Sequence, residues 1–221
     1  MAGAGDVLEG LPPERAGVIY GASVGFQSTE EGYRRVLGDP PSRPHPFTVP
    51  RGMPSSSASQ ISMAHKIYGP SFAVASACSS ASHSIGLAFH MIRSGQLDVA
   101  VSGGSEAPLT VGLIKSWEAL RVLSPDVCRP FSKERAGLSL GEAGGVVVLE
   151  ELERARARGA TIHAELVGFG MSADGSDITA PDAVSTARAI TLALADAGVE
   201  STQVDYVNAH GTGTVLNDKT E

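Results

Sequence analysis

Apolar and polar positions along the chain alternate between two rhythms. Six short runs, at 16–23 (AGVIYGAS), 71–76 (SFAVAS), 97–104 (LDVAVSGG), 144–151 (GGVVVLEE), 162–170 (IHAELVGFG) and 204–209 (VDYVNA), are rich in small and β-branched residues and predict β-strands. Their apolar residues follow one another with few polar interruptions, the pattern of strands covered on both faces. Between them, 28–37, 55–67, 79–94, 110–120, 152–158 and 182–197 predict helices. In the third, Ser82, Ile85, Ala88, Phe89 and Ile92 share one face, and Gly95 stands where the helix should stop. Strands alternating with helices predict a layered α/β architecture with right-handed crossovers. The proline-rich segment 38–54 (GDPPSRPHPFTVPRGMP) breaks the alternation and reads as a long structureless excursion. Loops of that length are usually functional or interfacial.

Composition narrows the possibilities. The 221 residues are 42% hydrophobic but only 5% aromatic, so the core is built from aliphatic and small side chains. A formal charge of −7 without a run of Lys or Arg argues against nucleic acid or an anionic membrane as the main partner. No uninterrupted apolar stretch reaches membrane-spanning length, and the opening MAGAGDVLEG lacks a basic-then-apolar leader, so the expected location is cytosolic. The two cysteines, Cys78 and Cys128, show neither CxxC nor His-rich spacing, so no disulfide framework and no metal site is expected. Cys128 reads as a loop residue. His83 and His90 lie seven apart on one predicted helix without a third ligand, and His45 and His65 stand in no motif. The glycines of SGGSEAP read as allowing close strand-to-helix packing, since the GK[ST] ending of a phosphate loop is missing. EELERARARG reads as a solvated helical face with Glu/Arg pairs near i,i+4 spacing.

Two short stretches carry candidate chemistry. VASACSSASHSIG, residues 74–86, places Cys78 between a predicted strand and a predicted helix. The unpaired N–H groups and the dipole of a helix start favour an anion there, and so favour the thiolate that attacks. The competing reading is a cysteine that only packs. NAHGTGT, residues 208–214, sets His210 directly after a predicted strand, followed by two glycines that let backbone approach a ligand and by the hydroxyls of Thr212 and Thr214. Both stretches stand at the C-terminal ends of strands, where α/β sheets bind ligands.

With ACSSASHSIG, SGGSEAP, RPFSKERAGLSLGEAGGVVVLEE and YVNAHGTGT in this order, the chain resembles the elongating β-ketoacyl-acyl carrier protein synthases of type II fatty acid and aromatic polyketide synthesis, from about residue 16 to the last. The resemblance implies a thiolase-like fold of α-β-α-β-α layers. Residues 1–160 would form the N-terminal half, with the nucleophile and without the family's opening segment, and 161–221 would open a truncated second half. The family's lysine, second histidine block and Gly-rich closing loop have no match, so the chain is expected to be part of a longer protein. By resemblance Cys78 accepts the acyl chain and His210 assists decarboxylation of the malonyl extender. Thr212 and Thr214 touch the phosphopantetheine arm, Glu221 organises the site through a lysine and water, and Arg121 contacts the carrier protein. The implied partners are acyl- and malonyl-acyl carrier protein and a second copy of the chain, pairing through SFAVAS; no cofactor is implied.

The residue types suit that chemistry. A thiolate attacks a thioester well and keeps the acyl group activated for a second transfer. An imidazole N–H directed at the malonyl carbonyl oxygen stabilises the enolate as carbon dioxide leaves. The expected function is therefore condensation of an acyl thioester with malonyl carrier protein to give a 3-oxoacyl product. The alternative is a non-catalytic carrier-binding or dimer-forming remnant, against which the retained Cys78 speaks. Thiolases and initiating synthases of the same fold fit NAHGTGT less well. The family commonly carries aspartate where Ser132 and Ala136 stand, a departure that bears on the subtype.

Overall fold

Successive residues of β1 (Ala16–Gly21) face two different cores, which makes this strand the centre of the first of two units. In the computed structural model, which describes residues 6–221, that unit comprises the chain as far as Thr110 together with Glu142–Glu165. Val18 and Tyr20 point to one side with Val99 and Val101, while Ile19 points to the other with Ala100. The strands β2 (Ser71–Val74), β3 (Val99–Glu106) and β4 (Ala143–Glu150) complete a sheet in the order β2-β1-β3-β4. β1 runs parallel to both β2 and β3, and β4 returns antiparallel beside β3.

Helix α3 (Ser56–His65) covers the first face through Ala58 and Ile61, and α4 (Ser80–Arg93) covers the second through Ala88, Met91 and Ile92. The result is helix on sheet on helix, as the alternation predicts. Burial on both faces holds for β1 and for the first five residues of β3, but not for β2 or β4. Those two are edge strands, and Val146 and Val147 of β4 are exposed. The helices α1 (Phe26–Leu37) and α2 (Thr48–Gly52) precede α3, and α6 (Leu152–Ala157) follows β4.

The proline-rich excursion is more ordered than its composition suggests. It contains α2, its Thr48 hydroxyl donates to the His45 carbonyl, and the Ser42 N–H donates back to the Arg35 carbonyl. Nor is the face 150–159 merely solvated. The Glu150 side chain is nearly buried and receives the guanidinium groups of Arg154 and Arg158, which also reach the Val7 carbonyl and the Asp6 carboxylate. At the same end of the sheet, where the antiparallel β4 finishes beside the start of β3, Arg15 pairs with Asp98 at 2.6 Å and donates to the Gly95 carbonyl, tying the entrances of β1 and β3 together. The hydrogen bond from Arg15 holds the Asp98 carboxyl below the ordinary range.

The second unit comprises Val111–Gly141 and Leu166–Glu221, with helices α5 (Val111–Ala119), α7 (Ala183–Ala197) and α8 (Val215–Thr220). Asp182 caps the start of α7 by accepting the Ser185 N–H, and Gly198 ends it in the left-handed conformation at φ +66°. Two sequence expectations fail. Segments 162–170 and 204–209 form no ladder with any described residue. A strand exists only through its partner, and these runs keep the apolar composition without one, leaving Leu166, Val167, Val204, Tyr206 and Val207 exposed. Part of the first run lies against α7 instead. A Cβ on Gly168 or Gly170 would stand 2.6 or 2.3 Å from the Ala193 or Ala189 carbonyl oxygen, so only glycine permits this approach.

Candidate functional site

Cys78 lies in the first unit, on the elbow that leads from the end of β2 into α4. The elbow is tight because Ala77 takes φ +51°, a left-handed conformation that costs an alanine about 1 kcal/mol. Serine hydroxyls hold it in place. Ser80 donates to the Ala77 carbonyl at 2.6 Å and accepts the Ser76 N–H at 2.9 Å, and Ser79 donates to the Ser76 carbonyl at 2.7 Å. Ser79 is the N-cap residue of α4, yet its hydroxyl turns back to the elbow and caps no helix N–H. The N–H groups of Ser79 and Ser80 turn back to the Ser76 and Ala77 carbonyls, and the exposed Cys78 stands immediately before the positive end of the α4 dipole.

The start of α4 sits unusually close to the sheet. A Cβ on Gly21 would fall 2.5 Å from the Ala81 nitrogen, and one on Gly104 would fall 2.9 Å from the Ala81 Cβ, so the glycines at the ends of β1 and β3 admit the helix. Gly104 belongs to SGGSEAP, and the packing role read from that stretch is the one observed. One turn deeper, Ser84 donates to the Gly103 carbonyl at 2.7 Å, while Ser102 donates to the Ile19 carbonyl at 2.8 Å. Both hydroxyls are fully buried and satisfied, so α4 meets the sheet through a polar seam without stranded donors.

The remaining candidates lie in the second unit. Glu221 accepts the N–H groups of His210 and Gly211, both at 2.8 Å, and the Asn217 side-chain amide at 3.0 Å. Its carboxylate thus closes the turn that presents the histidine. The Thr212 and Thr214 hydroxyls share a hydrogen bond at 2.9 Å, and Thr214 also accepts the Asn217 N–H as the N-cap of α8. Arg121 follows the end of α5 at φ +56° and is exposed.

Two residues to which the sequence assigned no part in the site hold this block. Asp218, with its side chain almost wholly buried, accepts the Gly213 N–H at 3.0 Å and the Phe131 N–H at 2.7 Å, and lies 4.0 Å from the Arg135 Nε. Phe131 is itself held at φ +60°, so the carboxylate anchors a strained turn. Cys128, expected to be a simple loop residue, is half-buried and donates from Sγ to the Thr212 carbonyl at 3.2 Å. The loop 128–137 and the block 210–218 are clamped together, and the Gly137 N–H closes the clamp on the Gly213 carbonyl.

Residues 1–155 match the family model described as "Beta-ketoacyl synthase, N-terminal domain", and residues 163–221 match "Beta-ketoacyl synthase, C-terminal domain". The chain belongs to the beta-ketoacyl synthase family. Among similar proteins, "Nodulation protein E" of Rhizobium leguminosarum bv. trifolii is 51% identical over 197 residues, covering 89% of this chain and 49% of the relative. The "3-oxoacyl-[acyl-carrier-protein] synthase 2" of Staphylococcus aureus is 39% identical over 216 residues, covering 94% of this chain and 54% of the relative. The fold is that of solved ketosynthases. A structure titled "The ishigamide ketosynthase/chain length factor" superposes with a TM-score of 0.91 at 36% identity, over 97% of this chain and 54% of that one. A beta-ketoacyl synthase from Burkholderia phymatum STM815 gives 0.88 at 36% identity, over 96% and 54%. The chain therefore spans about half the length of the curated relatives it matches.

Proposed function

We propose that the complete protein is an acyltransferase that condenses an acyl thioester with malonyl-acyl carrier protein, losing carbon dioxide and giving a 3-oxoacyl-acyl carrier protein for fatty acid or polyketide synthesis. The observation that carries this is Cys78 itself, an exposed thiol on a strained elbow before α4 in a chain of this family. Cys78 attacks the acyl thioester, the carrier thiol leaves, and the acyl group rests on the sulfur. His210 assists decarboxylation by hydrogen bonding to the malonyl carbonyl oxygen as enolate charge grows there. Thr212 and Thr214 meet the phosphopantetheine arm, and Glu221 fixes the backbone on which His210 stands.

Arg121, exposed beyond α5, offers a positive contact to an acidic carrier on a chain that is otherwise negative. A second copy of the chain pairs along β2, which is an edge strand without a charged residue. We assign the protein to the cytoplasm as part of the same proposal.

The test follows labelled acyl groups from acyl carrier protein onto the chain. Labelling that requires Cys78 and disappears in Cys78→Ala supports the nucleophile; labelling that survives the substitution removes it. A folded chain that binds the carrier but takes no label points to the non-catalytic alternative.

A further inference from the structure

His83, which the sequence leaves without a role, lies one turn inside α4 and reaches back to the elbow. Its Nδ1 and the Ser76 hydroxyl share a hydrogen bond at 2.7 Å. Ser76 is the fixed point of the elbow. Its N–H goes to Ser80, its carbonyl takes the Ser79 hydroxyl, and its own hydroxyl takes the imidazole. Every polar group of Ser76 is thus bound by a residue on the far side of Cys78, and the two residues enclosed are Ala77, at φ +51°, and Cys78. A left-handed alanine relaxes unless its surroundings overdetermine it. The serine contacts are local, from three and four residues away, at the N-cap and the first residue of α4. The imidazole reaches from a turn further in, where the His83 N–H makes a regular helical bond to the Ser79 carbonyl at 2.9 Å. It references the elbow to the helix axis.

We propose that His83 is a positioning residue for Cys78. Through the Ser76 hydroxyl it holds the elbow that sets Cys78 immediately before the first turn of α4. This rests on Cys78 being the reactive thiol, and the test separates the two.

The measurement is the rate of iodoacetamide alkylation of Cys78 in the folded full chain, read by mass spectrometry with Cys128 as internal reference and the thermal midpoint recorded alongside. His83→Leu keeps bulk and removes the bond; His83→Asn places an amide atom where Nδ1 stood. One hydrogen bond of this kind corresponds to a factor of about 3 to 10. The expected result is Cys78 alkylated ahead of Cys128 in the parent, slowed about 3- to 10-fold in His83→Leu, and restored to within about 2-fold in His83→Asn. Ser76→Ala should slow it alike, and the double variant Ser76→Ala/His83→Leu should be no slower than either single one. A parent that labels both cysteines equally overturns Cys78 as the reactive thiol. If Cys78 is selective in the parent, an unchanged rate in His83→Leu, whatever its thermal midpoint, overturns the positioning role. So do equal slowing by Leu and Asn and additive effects of the two sites.

Discussion

Replacing Gly21 by alanine would put a methyl carbon 2.5 Å from the Ala81 nitrogen and the Ser80 carbonyl carbon. Neither atom can swing aside, because both belong to the backbone of α4. Ordinary contact begins at 3.4 Å, so the start of the helix must retreat by about 1 Å, or β1 must bend away from its ladder with β3. Overpacking of this kind costs about 1–3 kcal/mol. For a chain of this length each kcal/mol lowers the thermal midpoint by about 2–4 °C, which gives an expected loss of about 2–12 °C. The same retreat carries the elbow and Cys78 with it, so alkylation of Cys78 should slow. Gly104→Ala is the control, since its methyl meets the Ala81 Cβ at 2.9 Å, a side-chain atom that can be removed. Adding Ala81→Gly should recover part of the loss in Gly104→Ala and none of it in Gly21→Ala. Differential scanning calorimetry with parallel alkylation decides the matter. A Gly21→Ala chain that melts within about 1 °C of the parent, or one rescued by Ala81→Gly, would refute the packing argument.

Asp218→Asn should speed hydrogen exchange at the Phe131 and Gly213 amides by about 100-fold, because it weakens acceptance from both and leaves Arg135 without its buried counter-charge; exchange unchanged at both would show that other contacts hold the clamp. Asp98 titrates below its ordinary value in the folded chain, so the stability contributed by its pairing with Arg15 is fully present above about pH 4 and is lost as pH falls from there through the folded value. Asp98→Asn should accordingly cost thermal stability at neutral pH and progressively less below pH ~4, and a difference that stays constant into acid would show that the carboxylate charge is not what matters. Arg121→Glu should slow association with acyl carrier protein and flatten its salt dependence while leaving Cys78 alkylation unchanged; an unaltered association rate would remove Arg121 from the carrier surface.

The legible part of the fold is the part whose pattern answers to its own neighbours. β1 and β3 read as buried strands because Val18, Ile19, Val99 and Ala100 meet helices that the same stretch of chain supplies. α4 was readable to within a residue at each end, since its apolar face and the terminating Gly95 are local signals. Segments 162–170 and 204–209 carry the same kind of apolar run, yet a ladder needs a partner whose identity a single run does not encode. The short helix α2 escaped notice because proline and glycine weigh against a helix, while the contacts ordering this region, from Thr48 to His45 and from Ser42 to Arg35, leave no periodicity.

The candidate site divides along a similar line. Cys78 and His210 announce themselves because thiol and imidazole are rare and stand where chain direction changes. Asp218 does not, because its partners are backbone N–H groups, and Phe131 lies 87 residues away in sequence. Every residue but proline offers such a donor, so nothing at position 131 marks the pairing. The signal that could have found it is spacing. Asp218 and Glu221 stand three apart at the short helix α8, and their carboxylates take the amides of Gly213 and of His210 and Gly211. A glycine-rich turn that must present a histidine in one conformation leaves its N–H groups without a ladder, and they have to be accepted somewhere. Two carboxylates on the next turn of chain are the nearest acceptors able to do so. Acidic residues shortly after a His-Gly turn are therefore as much a part of the candidate site as the histidine, and here one of the two also grips the loop on which Cys128 and Phe131 stand.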